Sequence, residues 1–154
     1  MSDAATHHRG IDDKDVHAFL DHFIRAYDHG DEKFFDYFTP KASILSISSS
    51  ERIEGRDQFR KSFGPRLKEK RSTKIQSPEV HSFGDSASVT YDCSVQVEGH
   101  THKARCTLVL QRDAGGNLAV AQMHMSSPPL RPGEDIHILE ERVATSLSAV
   151  GTPK

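Results

Sequence analysis

His124 and Arg105 are the residues of this chain whose types and spacing could do acid–base chemistry. Each lies in a segment of alternating polarity, and pairing those segments as a hairpin brings them to one sheet face. Thr107 and Ser126 then stand beside them, with Asp92 one strand over. A neutral imidazole oriented by a carboxylate is a general base near neutral pH, and a guanidinium can hold an anionic oxygen. His124, Arg105 and Asp92 are therefore the catalytic candidates. The alternative is that this face is solvated or covered by a partner subunit, so that the groups only satisfy one another. The register favours the alternative, because it turns His124 away from the helices.

Other reactive residue types carry less. Matching apolar face to apolar face sets Cys93 opposite Cys106, where a reducing compartment keeps two buried thiols rather than a bridge. Neither has a neighbouring His or Lys in sequence to lower its pKa. Of ten histidines, His100 and His102 flank Thr101 in a predicted turn over 98–103, and His7 and His8 form a terminal pair. No Cys or carboxylate stands at a ligand spacing, so no metal site is expected. There is no Gly-rich phosphate loop, nucleophile elbow or triad signature, and no cofactor is expected. The basic run RKSFGPRLKEKR reads as the solvated face of a helix rather than a nucleic-acid contact.

These residues need elements to hold them. A chain of 154 residues with 35% hydrophobic and 27% charged residues suits one domain with a real core. A formal net charge of -2 gives no broad pull toward nucleic acid or an anionic membrane. No apolar run is long enough to span a bilayer, and the polar start MSDAATHHRGIDD lacks a signal-peptide core. A cytoplasmic location is the default expectation.

Val16, Phe19, Leu20, Phe23, Ile24 and Tyr27 recur at helical spacing, with Asp12 or Asp13 as cap and Gly30 as stop. DEKFFDYF predicts a short second helix ended by Pro40. Two small strands follow, over 42–47 and near 52–53. GRDQFRKSFGPRLKEKR predicts a third helix that Gly64-Pro65 kinks or divides. From 74 to 127 four strands run in sequence. Val89, Tyr91, Cys93, Val95 and Val97 share a face in one of them; Ala104, Cys106, Leu108 and Leu110 share a face in the next. Ala119, Ala121, Met123 and Met125 do so in the last, leaving Val109, Leu118 and Val120 on the polar side. Helices first and a long meander after them predict an α+β fold. A further helical stripe of Ile136, Leu139, Val143 and Leu147 predicts a terminal helix.

The apolar face suggests a ligand pocket lined by Tyr27, Phe38, Tyr91, Cys93, Met123 and Met125, suited to a small hydrophobic molecule. Ordinary core packing of the same residues is the competing reading. The inner face of the strands offers no Asp, Glu or His. A catalytic acid or base there would come from a helix, with His22 and Asp28 nearest.

FIRAYDHGDEKFFDYFTPKASI resembles the helix–Gly-Asp–helix opening of SnoaL-like domains, and IEGRDQFRKSF resembles their Gly-Arg-led third helix. ARCTLVLQRD followed by NLAVAQMHMSSPP is similar to their closing hairpin, and to that of the calmodulin-dependent kinase II association domain. Leu118 stands where these relatives commonly have Trp, and Gln122 where a first His often sits. The resemblance covers roughly 15–128 and implies the cone-shaped nuclear transport factor 2-like (cystatin-like) fold, with helices packed on a curved, mostly antiparallel sheet. The division expected is a flexible 1–12, a domain over 13–128 and an extension over 129–154 with one helix. Three functions stay open: a homo-oligomeric, most simply homodimeric, small-molecule-binding domain; a cofactor-independent cyclase, isomerase or dehydratase; and a protein-docking hub. No nucleic-acid or membrane partner is expected.

Overall fold

Asp12 begins the first helix through a reciprocal pair of hydrogen bonds. Its side chain accepts from the Asp15 N–H at 2.9 Å, and the Asp15 side chain accepts from the Asp12 N–H at 3.0 Å. This capping box occupies two donors that a helix start leaves open. Helix α1, Asp13–His29, buries Val16, Phe19, Leu20, Phe23 and Ala26 and ends at Gly30, whose φ of 66° is left-handed. In the computed structural model, which describes residues 10–47 and 49–129, a 3₁₀ helix follows at Glu32–Tyr37, capped by Asp31. Pro40 does not end it: the turn stops at Tyr37, and Pro40 lies exposed in strand β1, Phe38–Leu45.

Strand β2, Ile53–Glu54, leads into helix α2, Arg56–Leu67. Gly64-Pro65 does not divide α2. Pro65 falls in its last turn, and the carbonyl it leaves without a donor belongs to exposed Lys61. The long strands are β3, Arg71–Ser82; β4, Ser86–Val97; β5, His100–Arg112; and β6, Leu118–Ser126. They form one six-stranded sheet in the order β2-β1-β6-β5-β4-β3. Only the β1–β6 pairing is parallel. Strand β1 pairs beside β6, and the sheet's two end strands, β2 and β3, are consecutive in the chain on either side of α2.

Glu98 and Gly99 have φ of 50° and 82°, the two-residue hairpin turn whose twist suits its strands. The expected loop over 98–103 thus shrinks to two residues, and His100 and His102 belong to β5. Strand β4 meets β5 with Tyr91 opposite Cys106, Asp92 opposite Arg105 and Cys93 opposite Ala104. The inner faces of these strands match the periodicity, but the cysteines sit diagonally rather than opposite each other. A bulge in β6 makes a second correction. The register shifts between Val109 and Leu110, leaving Ala121 as the extra residue, so Val120 pairs with Leu110 on the core side and Leu118 with Arg112. Ala119 pairs with exposed Gln111 on the other side. One inserted residue inverts everything beyond it. A third irregularity, at Ser77 and Pro78, interrupts the edge strand β3.

The sheet's inner face is covered by α1, packed mainly on β3, and by α2, packed on β1 and β2. Between them sits an aromatic cluster in which Phe34 touches Phe23, Tyr27, Phe35, Phe38, Phe59 and Phe63 at ring-centroid distances of 5.1–6.1 Å. Such a residue adds about 2–3 kcal/mol by burial alone. Among the described residues no helix is long and apolar enough to cross a membrane. The terminal helix expected over 134–147 lies outside the described residues.

Candidate functional site

A cavity of about 870 Å³ lies between the two helices and the inner sheet face. Its buried lining includes Phe23, Phe34, Phe59, Cys106 and Ala104, and its exposed rim includes Glu51, Arg52, Glu54, Gln58 and Lys103. Of the residues expected to line a pocket, Tyr27, Tyr91, Cys93, Met123 and Met125 all do. Phe38 does not. It is 1% exposed and packs its ring 5.6, 5.3 and 5.0 Å from those of Phe23, Phe34 and Phe59, so it belongs to the core beside the cavity.

The polar groups of the inner wall hold their protons. Burial raises the phenol pKa of Tyr27, with the Arg71 cation partly offsetting it. Burial lifts Tyr91 well above its ordinary value, and the neighbouring Cys106 adds to the rise. Burial likewise pushes the Cys93 thiol up to about 11 and the Cys106 thiol up to about 12. The Tyr91 side chain hydrogen-bonds the Cys106 sulfur, a link between direct cross-strand partners. At neutral pH this wall can offer neutral O–H and S–H donors, but no base and no thiolate.

The two helix candidates are elsewhere. His22 is exposed and absent from the cavity lining. The Asp28 carboxylate accepts the Thr73 N–H at 2.9 Å and the Thr73 hydroxyl at 2.6 Å, which ties the end of α1 to β3.

Charge reaches the cavity from an unexpected place, the end of α2 and the start of β3. Arg71 donates through Nη1 to the carbonyls of Tyr27, at 2.9 Å, and Leu67, at 3.2 Å, and through Nη2 to that of Arg66. Its guanidinium stands 4.4 Å from the centre of the Tyr27 ring. One cation thereby serves the C-terminal carbonyls of both helices, where the helix dipoles are negative. Arg66 and Glu69 line the cavity beside it. The Glu69 Oε2 atom is buried with no hydrogen-bond partner among the described residues. Burial raises the Glu69 pKa, Arg71 and Arg66 oppose the rise, and Glu98 adds to it. Sequence reading passed over this group because RKSFGPRLKEKR looks like a uniformly solvated basic face. The available signal was Leu67, whose complete burial draws the flanking Arg66 and Glu69 to the wall.

The His124 group lies on the opposite, outer face. Asp92, Arg105, Thr107, His124 and Ser126 line a shallow groove of about 380 Å³ there, and Asp92, Arg105 and His124 are exposed. The register pairs Asp92 with Arg105 and Thr107 with His124. The contact made by Arg105 is a long 3.5 Å hydrogen bond to the Ser127 carbonyl, and no hydrogen bond or ion pair joins it to Asp92 or His124 among the described residues. The strands bring the three candidates onto one face without assembling them into a relay. The His100 and His102 rings are 6.5 Å apart, and no group of three possible metal ligands occurs among the described residues.

Helices on the inner face of a mostly antiparallel, unclosed six-stranded sheet, with a cavity beneath them, define a nuclear transport factor 2-like α+β fold. Within that class the chain belongs to the SnoaL-like domain family, which matches residues 16–130. It is similar to the S. rosetta CaMKII hub, with 24% identity over 75% of this chain and 95% of that one and a TM-score of 0.65. A nuclear transport factor 2-like superfamily protein from Salmonella enterica matches at 18% identity over 79% and 95% of the chains, with a TM-score of 0.67. A candidate dehydratase of the same family from Streptomyces avermitilis matches at 19% identity over 76% and 96%, with a TM-score of 0.68. Among curated protein sequences there is no match.

Proposed function

We propose that this SnoaL-like domain binds a small, largely apolar molecule in the cavity beneath its helices. The observation that carries the reading is a space of about 870 Å³ whose buried wall is aromatic and aliphatic with a few neutral hydrogen-bond donors. Space of this size and composition is what small hydrophobic ligands occupy. Binding is favoured over catalysis because His124, Arg105 and Asp92 face outward, Asp28 is held by Thr73, and the inner phenols and thiols keep their protons.

A second reading, a cyclase, isomerase or dehydratase, is favoured by one observation: Glu69 is a carboxyl group in the cavity wall whose pKa is raised. The name of the Streptomyces avermitilis relative is in keeping with it. As the binding unit we propose a homodimer formed through the outer sheet face, in keeping with the name of the S. rosetta hub. A cytoplasmic location belongs to the same reading.

Ala104 provides the test. It is buried on β5 and lines the cavity, so Ala104→Phe should push a ring into part of the space. Naphthalene-sized fluorescent probes should bind the parent protein and raise its melting temperature, and the variant should bind them with altered affinity. A parent protein that none of these probes binds or stabilises would refute binding in this cavity.

A further inference from the structure

We propose that Glu69 is the polar anchor of the cavity, accepting a hydrogen bond from a hydroxyl group on an otherwise apolar ligand. The inference rests on the cavity-binding reading and adds to it the chemical class of the ligand, an alcohol or phenol on a hydrophobic frame. Buried polar atoms in folded proteins are nearly always hydrogen-bonded, and an orphaned one costs free energy unless something completes it. Glu69 Oε2 is such an atom, and the residue that carries it lines the cavity beneath the helices.

The neighbours decide what completes it. Arg71 lies close enough to act on the carboxyl charge, but its hydrogen bonds go to the carbonyls of Tyr27, Leu67 and Arg66. The cation therefore stabilises a carboxylate without using up its lone pairs. Arg66 adds positive charge from the end of α2, and Glu98 adds negative charge from the β4–β5 turn. A carboxylate held this way accepts hydrogen bonds and offers none. Elsewhere on the wall, buried Phe23, Phe34 and Met123 offer apolar surface. A molecule meeting both demands is hydrophobic with one hydroxyl at the Arg66–Glu69–Arg71 side. A plain hydrocarbon leaves the carboxyl group unmet.

The probes are 2-naphthol and 2-methoxynaphthalene, which differ only in the hydroxyl hydrogen and a methyl group. At neutral pH the parent protein should bind the naphthol about tenfold more tightly, the scale of one charge-assisted hydrogen bond. Glu69→Met, which removes the acceptor, should bring the ratio near one. Glu69→Gln, which keeps a neutral carbonyl acceptor, should give an intermediate ratio. In the parent protein the preference should also shrink at acid pH, because a protonated Glu69 can donate to either probe oxygen. That titration tests the proposal even if Glu69→Met fails to fold. Equal binding of both probes to the parent, a ratio unchanged in Glu69→Met, or a preference flat from neutral to acid pH would each overturn the assignment while leaving the cavity reading standing. Failure of both probes to bind the parent would overturn the cavity reading and this one with it.

Discussion

The most consequential single residue is Glu69, and its protonation links the cavity to stability. Burial raises its pKa in the folded protein above that in the unfolded chain, so between the two values the folded state holds the extra proton. Stability must then fall as pH rises through that window, and at neutral pH the ionised group is a net cost. Glu69→Gln removes the titration. The variant should melt above the parent at neutral pH, and the difference should vanish once both states are protonated in acid. Calorimetry across that range checks the sign; a variant less stable than the parent at neutral pH contradicts it. Little of this residue was legible in sequence, because charges clustered at a helix end read as solvated unless a buried neighbour pulls them inward. The apolar lining was more legible: alternation alone turns Tyr91, Cys93, Met123 and Met125 to the cavity side. Phe38, read as the inward face of the short second helix, became core, since periodicity gives a face and not the distance to a void.

Among the elements, the ends of the two helices meet beside the cavity. Gly30 ends α1 with φ at 66°, and a Cβ placed there would lie 2.7 Å from the Leu67 carbonyl oxygen at the end of α2. The close approach lets Arg71 reach carbonyls of both helices. Gly30→Ala adds left-handed strain to a collision with backbone, at a cost of about 2 kcal/mol or more. A fall in melting temperature of roughly 4–8 °C is expected for a domain of this size. A shift within about 1 °C, the range of a neutral surface change, would mean that the helix ends tolerate separation. The stop at Gly30 was readable because glycine after a helical stripe has a local cause. The bulge at Ala121 was not, since an inserted residue leaves the alternation plausible on both sides. Its effect was to put Val120 in the core and Leu118 against it instead of on the outer face.

At the scale of the molecule, that bulge changes what a dimer can be made of. With Leu118 and Val120 turned inward, the outer face keeps Val109 among a mostly polar set that includes Thr90, Asp92, Arg105, Thr107 and His124. Association through this face would depend on polar pairing between copies more than on apolar area, and such an interface is modest and salt-sensitive. His124 separates the possibilities. In a monomer it is an exposed side chain, and His124→Ala should alter stability by no more than about 0.5 kcal/mol. In a dimer the same truncation leaves Arg105 or Asp92 desolvated and short of a partner, weakening association by about tenfold or more. Probe binding in the cavity should be untouched either way, because His124 lies on the far side of the sheet. The expected outcome is a dimer by sedimentation equilibrium that dissociates more readily in His124→Ala and at high salt. A protein that remains monomeric at high micromolar concentration would remove the dimer, and with it any role for the outer face in assembly.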